Sequence, residues 1–378
     1  MDDPSDLIPV PPVDAPAVTV VVNAFWGGGA EYVARTWART LRDAGWPVRL
    51  VVLTPLSDGD RRLAGDLLPV VEELAGSRWR RYLRLRGLLT ARQSAAVVSL
   101  QMRPNLLTTA LAMTVPRSRR TVTAISERNI VSIYTEDASA AHKRRVTLAK
   151  LLYRRADRMI AISHPVAAEM VAGFGVRPER CVVVPNPAGG KAAGEPARSP
   201  MNGALSLVLV GRLAPQKRPM LAVEVAARLQ ERGQRTRLTV FGDGPLRRGL
   251  ETAAVDHGVE VDLRGWVEDW PSEVPDGAVL LLASVKEGFG NVLVEAARRG
   301  VPSVATSQAL GVADALVPGV TGELALTSSV DDLADAVMRA RGATFAGADE
   351  WLRRFTPEAS TAALLRGLLV PLDREGRC

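Results

Sequence analysis

Two glutamates eight residues apart, Glu287 and Glu295, flank a glycine elbow in the segment Glu287-Gly288-Phe289-Gly290-Asn291-Val292-Leu293-Val294-Glu295. The segment follows an apolar run, Val279 to Ala283, and opens a helical pattern. Glycines at a strand end let backbone approach a ligand closely, and the helix start that follows offers free N–H groups to an anion. This spacing leaves Glu287 on the loop and Glu295 a little over one turn into the helix. Carboxylates placed so are acceptors suited to the hydroxyls of a sugar or a ribose. From these residues alone, a loop glutamate and a surface helix glutamate explain the pattern equally well.

Upstream, Gly211-Arg212-Leu213-Ala214-Pro215-Gln216-Lys217 ends the apolar run Leu205 to Val210. Arg212 and Lys217 straddle a strand-to-helix turn, where a helix dipole is positive. Two cations there fit a diphosphate, the arginine as a two-pronged clamp and the lysine as a point charge. Two solvated cations near a turn are the plainer reading. Phe241-Gly242-Asp243-Gly244-Pro245 ends another strand, and alone it reads as a structural turn. Early in the chain, Gly27-Gly28-Gly29-Ala30-Glu31 ends the first strand. It matches neither the G-x-G-x-x-G dinucleotide pattern nor a P-loop.

The elements that must carry these residues alternate strand and helix in two cycles. The first has strands at Val18 to Val22, Val48 to Leu53, Ala96 to Leu100, Thr121 to Ile125, Arg158 to Ile162 and Cys181 to Val184. The second has strands at Leu205 to Val210 and near 236–241, 260–263, 278–282 and 302–305. Near-continuous Val/Leu runs suit parallel strands covered on both faces. We therefore expect two tandem Rossmann-like, doubly wound α/β domains, with ligands at the carboxyl ends of the strands in a cleft between them. Residues 1–16 read as a mobile tail, 17–185 as the first domain, 186–202 as a linker and 203–345 as the second domain. The helices of 346–378 are expected to cross back to the first domain.

At 378 residues, 47% hydrophobic and 24% charged, the chain has material for two cores and a globular composition. No apolar run reaches membrane-spanning length, and the start is acidic where a secretory signal is basic. The two cysteines, Cys181 and Cys378, suggest a reducing, cytoplasmic setting. The formal charge of +7, carried mostly by Arg, favours anionic partners. Nucleic acid is disfavoured, because aromatics are only 4% and the arginines are scattered.

Taken together, GGGAE, GRLAPQK, FGDGP and EGFGNVLVE, in that order, resemble the retaining glycosyltransferases of family 4, which have the two-domain GT-B fold. The last is an E-x7-E match, and the likeness covers nearly the whole chain. Ser99-Leu100 to Asn105, Ser126-Glu127-Arg128-Asn129 and Val184-Pro185-Asn186-Pro187 agree further. The resemblance implies an enzyme of hexosyltransferase type using a nucleoside-diphosphate-sugar, of UDP or GDP type, as co-substrate without another cofactor. Arg212 and Lys217 would bind the diphosphate and stabilise the departing nucleotide. Glu295 would hold the ribose, and Glu287 with Gly288, Phe289, Gly290 and Asn291 the donor sugar. Gly28 and Gly29 would lie near the phosphates, and Gly265, Trp266 and Val267 near the base.

Many relatives have a His where this chain has Ser99-Leu100-Gln101-Met102-Arg103-Pro104-Asn105. Asn105, Glu127 and Arg128 are therefore the candidates to meet the sugar or acceptor. His142, His164 and His257 show no ligand spacing. Asp58-Gly59-Asp60 reads as a polar turn rather than a metal-binding D-x-D, and no metal is expected. The basic run Arg78 to Leu89 reads as a crossover helix with Trp79, Tyr82, Leu83 and Leu85 on its apolar side, with weak peripheral docking on the inner membrane face as the sharper alternative. The acceptor is expected to be a cell-envelope glycan or lipid, or a secondary metabolite. A GT-B epimerase and a non-catalytic sugar-nucleotide or membrane-surface binder are the rival readings.

Overall fold

A computed structural model of the chain describes residues 7–74, 76–133, 139–188 and 205–369. The chain divides into two units: one runs through the described residues up to Pro187 and resumes at Thr356, and the other spans Ala188–Phe355. The expected linker lies outside the described residues from 189 onward.

The first unit holds seven parallel strands: β1 (Ala17–Val22), β2 (Val48–Val52), β3 (Val71–Glu73), β4 (Ser94–Leu100), β5 (Val122–Glu127), β6 (Arg158–Ala161) and β7 (Cys181–Val183). Their order is β3-β2-β1-β4-β5-β6-β7. Val18, Val20, Val21, Val97 and Val98 are fully buried, as strands covered on both faces require. Helix Gly29–Asp43 buries Ala30, Val33, Ala34, Trp37, Ala38 and Leu41, an i, i+3, i+4, i+7 stripe. Helix Pro357–Leu369 packs on it and gives Ala362, Leu364, Leu365 and Leu368 to the same core. Trp37 donates from Nε1 to Ser360 Oγ at 2.9 Å, and Ser360 donates to the Pro185 carbonyl at 2.7 Å. A buried indole N–H needs such a partner.

The second unit holds β8 (Leu205–Val210), β9 (Thr236–Phe241), β10 (Glu260–Gly265), β11 (Ala278–Leu282), β12 (Ser303–Thr306) and β13 (Gly322–Ala325). All described pairings are parallel, in the order β10-β9-β8-β11-β12-β13. In both units the second half of the sheet starts on the other side of the first strand. Each therefore has a switch point, between β1 and β4 and between β8 and β11, where loops of opposite sense part to leave a ligand crevice.

Three expectations need correction. Residues 1–6 of the expected tail lie outside the described residues, but the segment touches the first unit at Ile8 and Pro9, while Val10 and Val13 are exposed. Ile8 is buried in the core, and the Pro9 carbonyl accepts from Trp46 Nε1 at 2.7 Å. Asp58-Gly59-Asp60 is the first turn of helix Asp58–Ala64 rather than a loop. Asp60 there completes a capping box, accepting from Ser57 N at 2.9 Å while Ser57 Oγ accepts from Asp60 N at 3.1 Å. Helix Arg78–Leu88 buries Leu85 and Leu88 but exposes Trp79 and Leu83, so the apolar side assigned from sequence is only partly its packed face.

Candidate active site

The switch point of the second unit brings Lys217 and Glu287 together. Lys217 ends the short helical turn Pro215–Lys217 after β8, and Arg218 follows in the left-handed region (φ 47) to start helix Pro219–Glu231. Lys217 Nζ donates to Glu287 Oε1 at 2.6 Å across the crevice. The loops are sewn beside this pair, since Gln216 Nε2 donates to the Lys286 carbonyl at 3.0 Å and Val285 N to the Gln216 carbonyl at 2.8 Å. Arg212 is exposed and its guanidinium has no partner among the described residues. One cation is thus held against a carboxylate while the other stands ready for an anion.

The elbow itself is buried. Gly290 (φ 98) caps helix Asn291–Arg298, and Phe289 lies 5.4 Å from the Phe355 ring. Glu287 N donates to the Ala309 carbonyl at 2.9 Å, and Gly311 N to the Glu287 carbonyl at 3.2 Å. A Cβ on Gly311 would fall 2.4 Å from the Glu287 oxygen, so only glycine permits this approach.

Glu295, on the second turn of the helix, accepts from Trp270 Nε1 at 2.8 Å. Burial pushes its carboxyl above the usual range, while the Trp270 bond and the nearby Lys217 charge oppose the rise. Trp270 is itself buried against Phe241. Gly265 (φ 68) ends β10, its carbonyl accepting from Gly242 N at 2.6 Å, and Trp266 beyond it is exposed. Val267 is half-buried.

The FGDGP turn holds the arginine loop. A Cβ on Gly242 would fall 1.9 Å from the Gly211 carbonyl oxygen, and one on Gly244 would fall 2.5 Å from that of Leu213. Leu213 N donates to the Asp243 carbonyl at 3.0 Å, and Leu246 N to that of Leu213 at 3.0 Å. These glycines let one strand-end loop lie directly on the next.

In the first unit, Gly28 caps helix Gly29–Asp43, and Glu31 on its first turn is 6% exposed. Gln101 Nε2, at the end of β4, donates to Glu31 Oε1 at 2.9 Å. Gln101 has φ 76 and ψ 156, a region almost reserved for glycine that costs a residue with a Cβ about 1–3 kcal/mol. Arg35 braces the glycine loop, donating to the Phe25 carbonyl and lying 4.3 Å over the Trp26 ring.

Asn105 is fully buried and Glu127 nearly so. They belong to a network beneath helix Met102–Ala112. Asn105 Nδ2 donates to the Ser126 carbonyl at 2.9 Å and to Glu127 Oε1 at 3.1 Å, Ser99 Oγ donates to Asn105 Oδ1 at 2.8 Å, and Tyr153 OH donates to Glu127. Burial pushes Glu127 up to about 7, against the pull of those bonds. Arg128, half-buried, donates to Ser126 Oγ at 3.2 Å and to Asn186 Oδ1, and lies 5.4 Å from the Trp37 ring. Burial lowers it to about 9. Its side chain is thus engaged in holding the start of the segment that leaves the first unit.

Sequence reasoning missed Gln216, Trp270, Gly311 and the Glu31–Gln101 pair. The order of the strand-end loops carries no mark of these pairings, although a tryptophan near a candidate carboxylate is a natural donor to it. Among the described residues, no group of three or more His, Cys, Asp or Glu is placed to hold a metal ion. No described helix is long and apolar enough to cross a membrane.

The chain belongs to the glycosyltransferases: the model of the glycosyl transferases group 1 domain matches residues 204–341, and that of the glycosyl transferase 4-like domain matches 28–187. Its two Rossmann-like units have the GT-B fold. It is 34% identical over 205 residues to the D-inositol 3-phosphate glycosyltransferase of Kribbella flavida, covering 48% of this chain and 47% of that one. The chain thus spans about half the length of the curated relatives it matches. Among solved structures, it resembles the lipopolysaccharide outer core galactosyltransferase WaaB (TM-score 0.72, 18% identity, 93% of this chain and 98% of that one). It also resembles S. aureus TarM bound to UDP (TM-score 0.70, 10% identity, 94% and 100%).

Proposed function

We propose that the chain is a retaining, metal-independent glycosyltransferase that moves a sugar from a UDP- or GDP-sugar to an acceptor hydroxyl. The observation that carries this reading is the Lys217–Glu287 pair at the β8–β11 switch point, with exposed Arg212 on the same loop after β8 as Lys217. Arg212 and Lys217 bind the diphosphate, Glu287 and the Gly288–Asn291 backbone bind the donor sugar, and Glu295 binds the ribose. Lys217 leaves Glu287 for the phosphates, freeing that carboxylate for sugar hydroxyls. Gly265, Trp266 and Val267 border the base. Catalysis rests on positioning and on electrostatic stabilisation of the leaving nucleotide, with two fixed cations taking the place of a metal and no cofactor.

The acceptor is a polyol or glycan hydroxyl. The relatives named as inositol phosphate glycosyltransferases and the neighbour named for lipopolysaccharide core synthesis support that class. Weak peripheral contact with an anionic membrane belongs to the same reading, through exposed Trp79 and Leu83 on the arginine-rich helix Arg78–Leu88. Nucleotide release, measured from UDP- and GDP-sugars with and without polyol acceptors, tests the function. Release that requires both substrates supports transfer. Conversion of donor alone would indicate an epimerase, and binding without turnover would indicate a non-catalytic protein.

A further inference from the structure

Between helix Arg78–Leu88 and the β2–β3 edge of the first unit's sheet lies a cavity of about 340 Å³, lined by Arg49, Glu72, Arg84, Gly87, Leu88 and Gln93. Arg49 is the second residue of β2 and Gln93 precedes β4, so the cavity stands toward the amino ends of the strands. The glycine loop and Gln101 lie at the opposite, carboxyl ends. Its charges do not balance. Glu72 is the one carboxylate in the wall, and two guanidiniums share it: Arg49 Nε stands 3.1 Å from Oε2, and Arg84 Nε donates to Oε1 at 2.6 Å. Arg49 Nη1 donates to the Gln93 carbonyl at 3.3 Å. Arg49 Nη2 and both Nη groups of Arg84 have no hydrogen-bond partner among the described residues. Each guanidinium is thus anchored by its Nε and keeps free N–H groups, the arrangement that suits an oxyanion. Arg81, one turn earlier on the helix, adds a third cation, its Nε buried without a hydrogen-bond partner. The helix points its negative, carboxyl end here, but the Gly87 carbonyl already accepts from Thr90 N at 3.2 Å and Thr90 Oγ1 at 2.8 Å. Gly87 itself is unexplained by its helix, where glycine is among the poorest formers. A Cβ there would meet no atom within 4 Å, and no left-handed backbone calls for glycine. The missing side chain keeps this wall of the cavity open.

We propose that this cavity is a phosphate-binding site, separate from the nucleotide site, in which the free Nη groups of Arg49 and Arg84 hold the phosphate of a small phosphate ester. Three arginines against one carboxylate leave two positive charges, which match a phosphate monoester of nearly two negative charges. The volume falls within the usual range for small-molecule sites, roughly 300–1,000 Å³. The Gln93 carboxamide, without a partner among the described residues, is placed to meet hydroxyls on the ester. The phosphate belongs either to a water-soluble ester or to a lipid headgroup, since exposed Trp79 and Leu83 lie on the same helix.

Isothermal titration with inorganic phosphate and with glycerol 3-phosphate tests the proposal, with ionic strength held constant by potassium chloride. The parent is the full chain carrying Arg212→Ala and Lys217→Ala, so that the nucleotide clamp contributes nothing. Binding of phosphate should persist in this parent and raise its Tm. Adding Arg84→Gln should weaken it about tenfold or more, the loss of charge-assisted hydrogen bonds. Adding Gly87→Leu should abolish it by filling the cavity, while Gly87→Leu alone leaves UDP affinity at the wild-type value. Should Gly87→Leu fail to fold, Arg84→Gln decides the question, because that side chain is 62% exposed. A second arm measures co-sedimentation with phosphatidylcholine vesicles with and without phosphatidic acid. Binding of the soluble esters assigns the site to a free metabolite; binding only to the phosphatidic acid vesicles, lost in Arg84→Gln, assigns it to a headgroup. The proposal is overturned if neither probe binds, if phosphate binding vanishes with Arg212 and Lys217, or if Arg84→Gln and Gly87→Leu bind as the parent does. Nucleotide release tests the glycosyltransferase reading separately, so either can fail without the other.

Discussion

Lys217 and Glu287 lie seventy positions apart in the chain and meet at 2.6 Å, each at the end of a strand on either side of the β8–β11 switch point. The pair stores a cation where a diphosphate would displace its carboxylate partner. Lys217→Ala should therefore lower kcat/KM by about 10²–10³, the cost of removing one preorganised charge from a developing anion. Arg212→Ala should do the same. Circular dichroism of both variants should match wild type, and wild-type turnover in both would remove the phosphate clamp.

Trp270→Phe deletes the bond that helps keep the Glu295 proton off. The carboxyl already sits above its ordinary range through burial, and losing this bond raises it further. Only the ionised carboxylate accepts fully from ribose hydroxyls, so the acid limb of nucleotide binding should move to higher pH. The change should appear in KM for the donor more than in kcat. A pH profile of nucleotide affinity superimposable on wild type would contradict the assignment.

Glu127 gives a stability prediction. Burial raises its folded pKa to about 7 from an ordinary 4.5, so between those values the native state holds a proton that the unfolded chain has released. Stability must then fall as pH rises through this window, by roughly 3 kcal/mol at most, and stay low above it. Glu127→Gln, which keeps an acceptor for Tyr153, should flatten that stretch of the denaturation midpoint against pH. An unchanged slope in the variant would show that another group is responsible.

Gly242→Ala would drive a Cβ into the Gly211 carbonyl, so the arginine loop must move. We expect a loss of about 1–3 kcal/mol or more in stability, read from chemical denaturation, together with weakened nucleotide binding. Retention of both would mean that this close packing is not what sets the loop.

Much of this could be read from the sequence. The apolar runs marked most of the strands, and the glycine-rich motifs fell at strand ends because a parallel sheet puts its turns there. Val71-Glu72-Glu73 and Gly322-Glu323-Leu324-Ala325 escaped notice because they are short outermost strands without a continuous apolar run. The Glu287 to Glu295 spacing announced a helix start, but nothing in it said that Lys217 would reach Glu287 or Trp270 would reach Glu295. Those contacts depend on which loops the strand order makes neighbours. The polarity of Asn105 and Glu127 is visible in sequence, whereas their burial, set by the elements packed around them, is not.

The most direct test is a crystal structure with an intact UDP- or GDP-sugar. We expect the diphosphate within hydrogen-bonding distance of Arg212 and Lys217, the ribose hydroxyls on Glu295 and the Lys217–Glu287 bond opened. A nucleotide bound elsewhere, with Lys217 still on Glu287, would contradict the central claim.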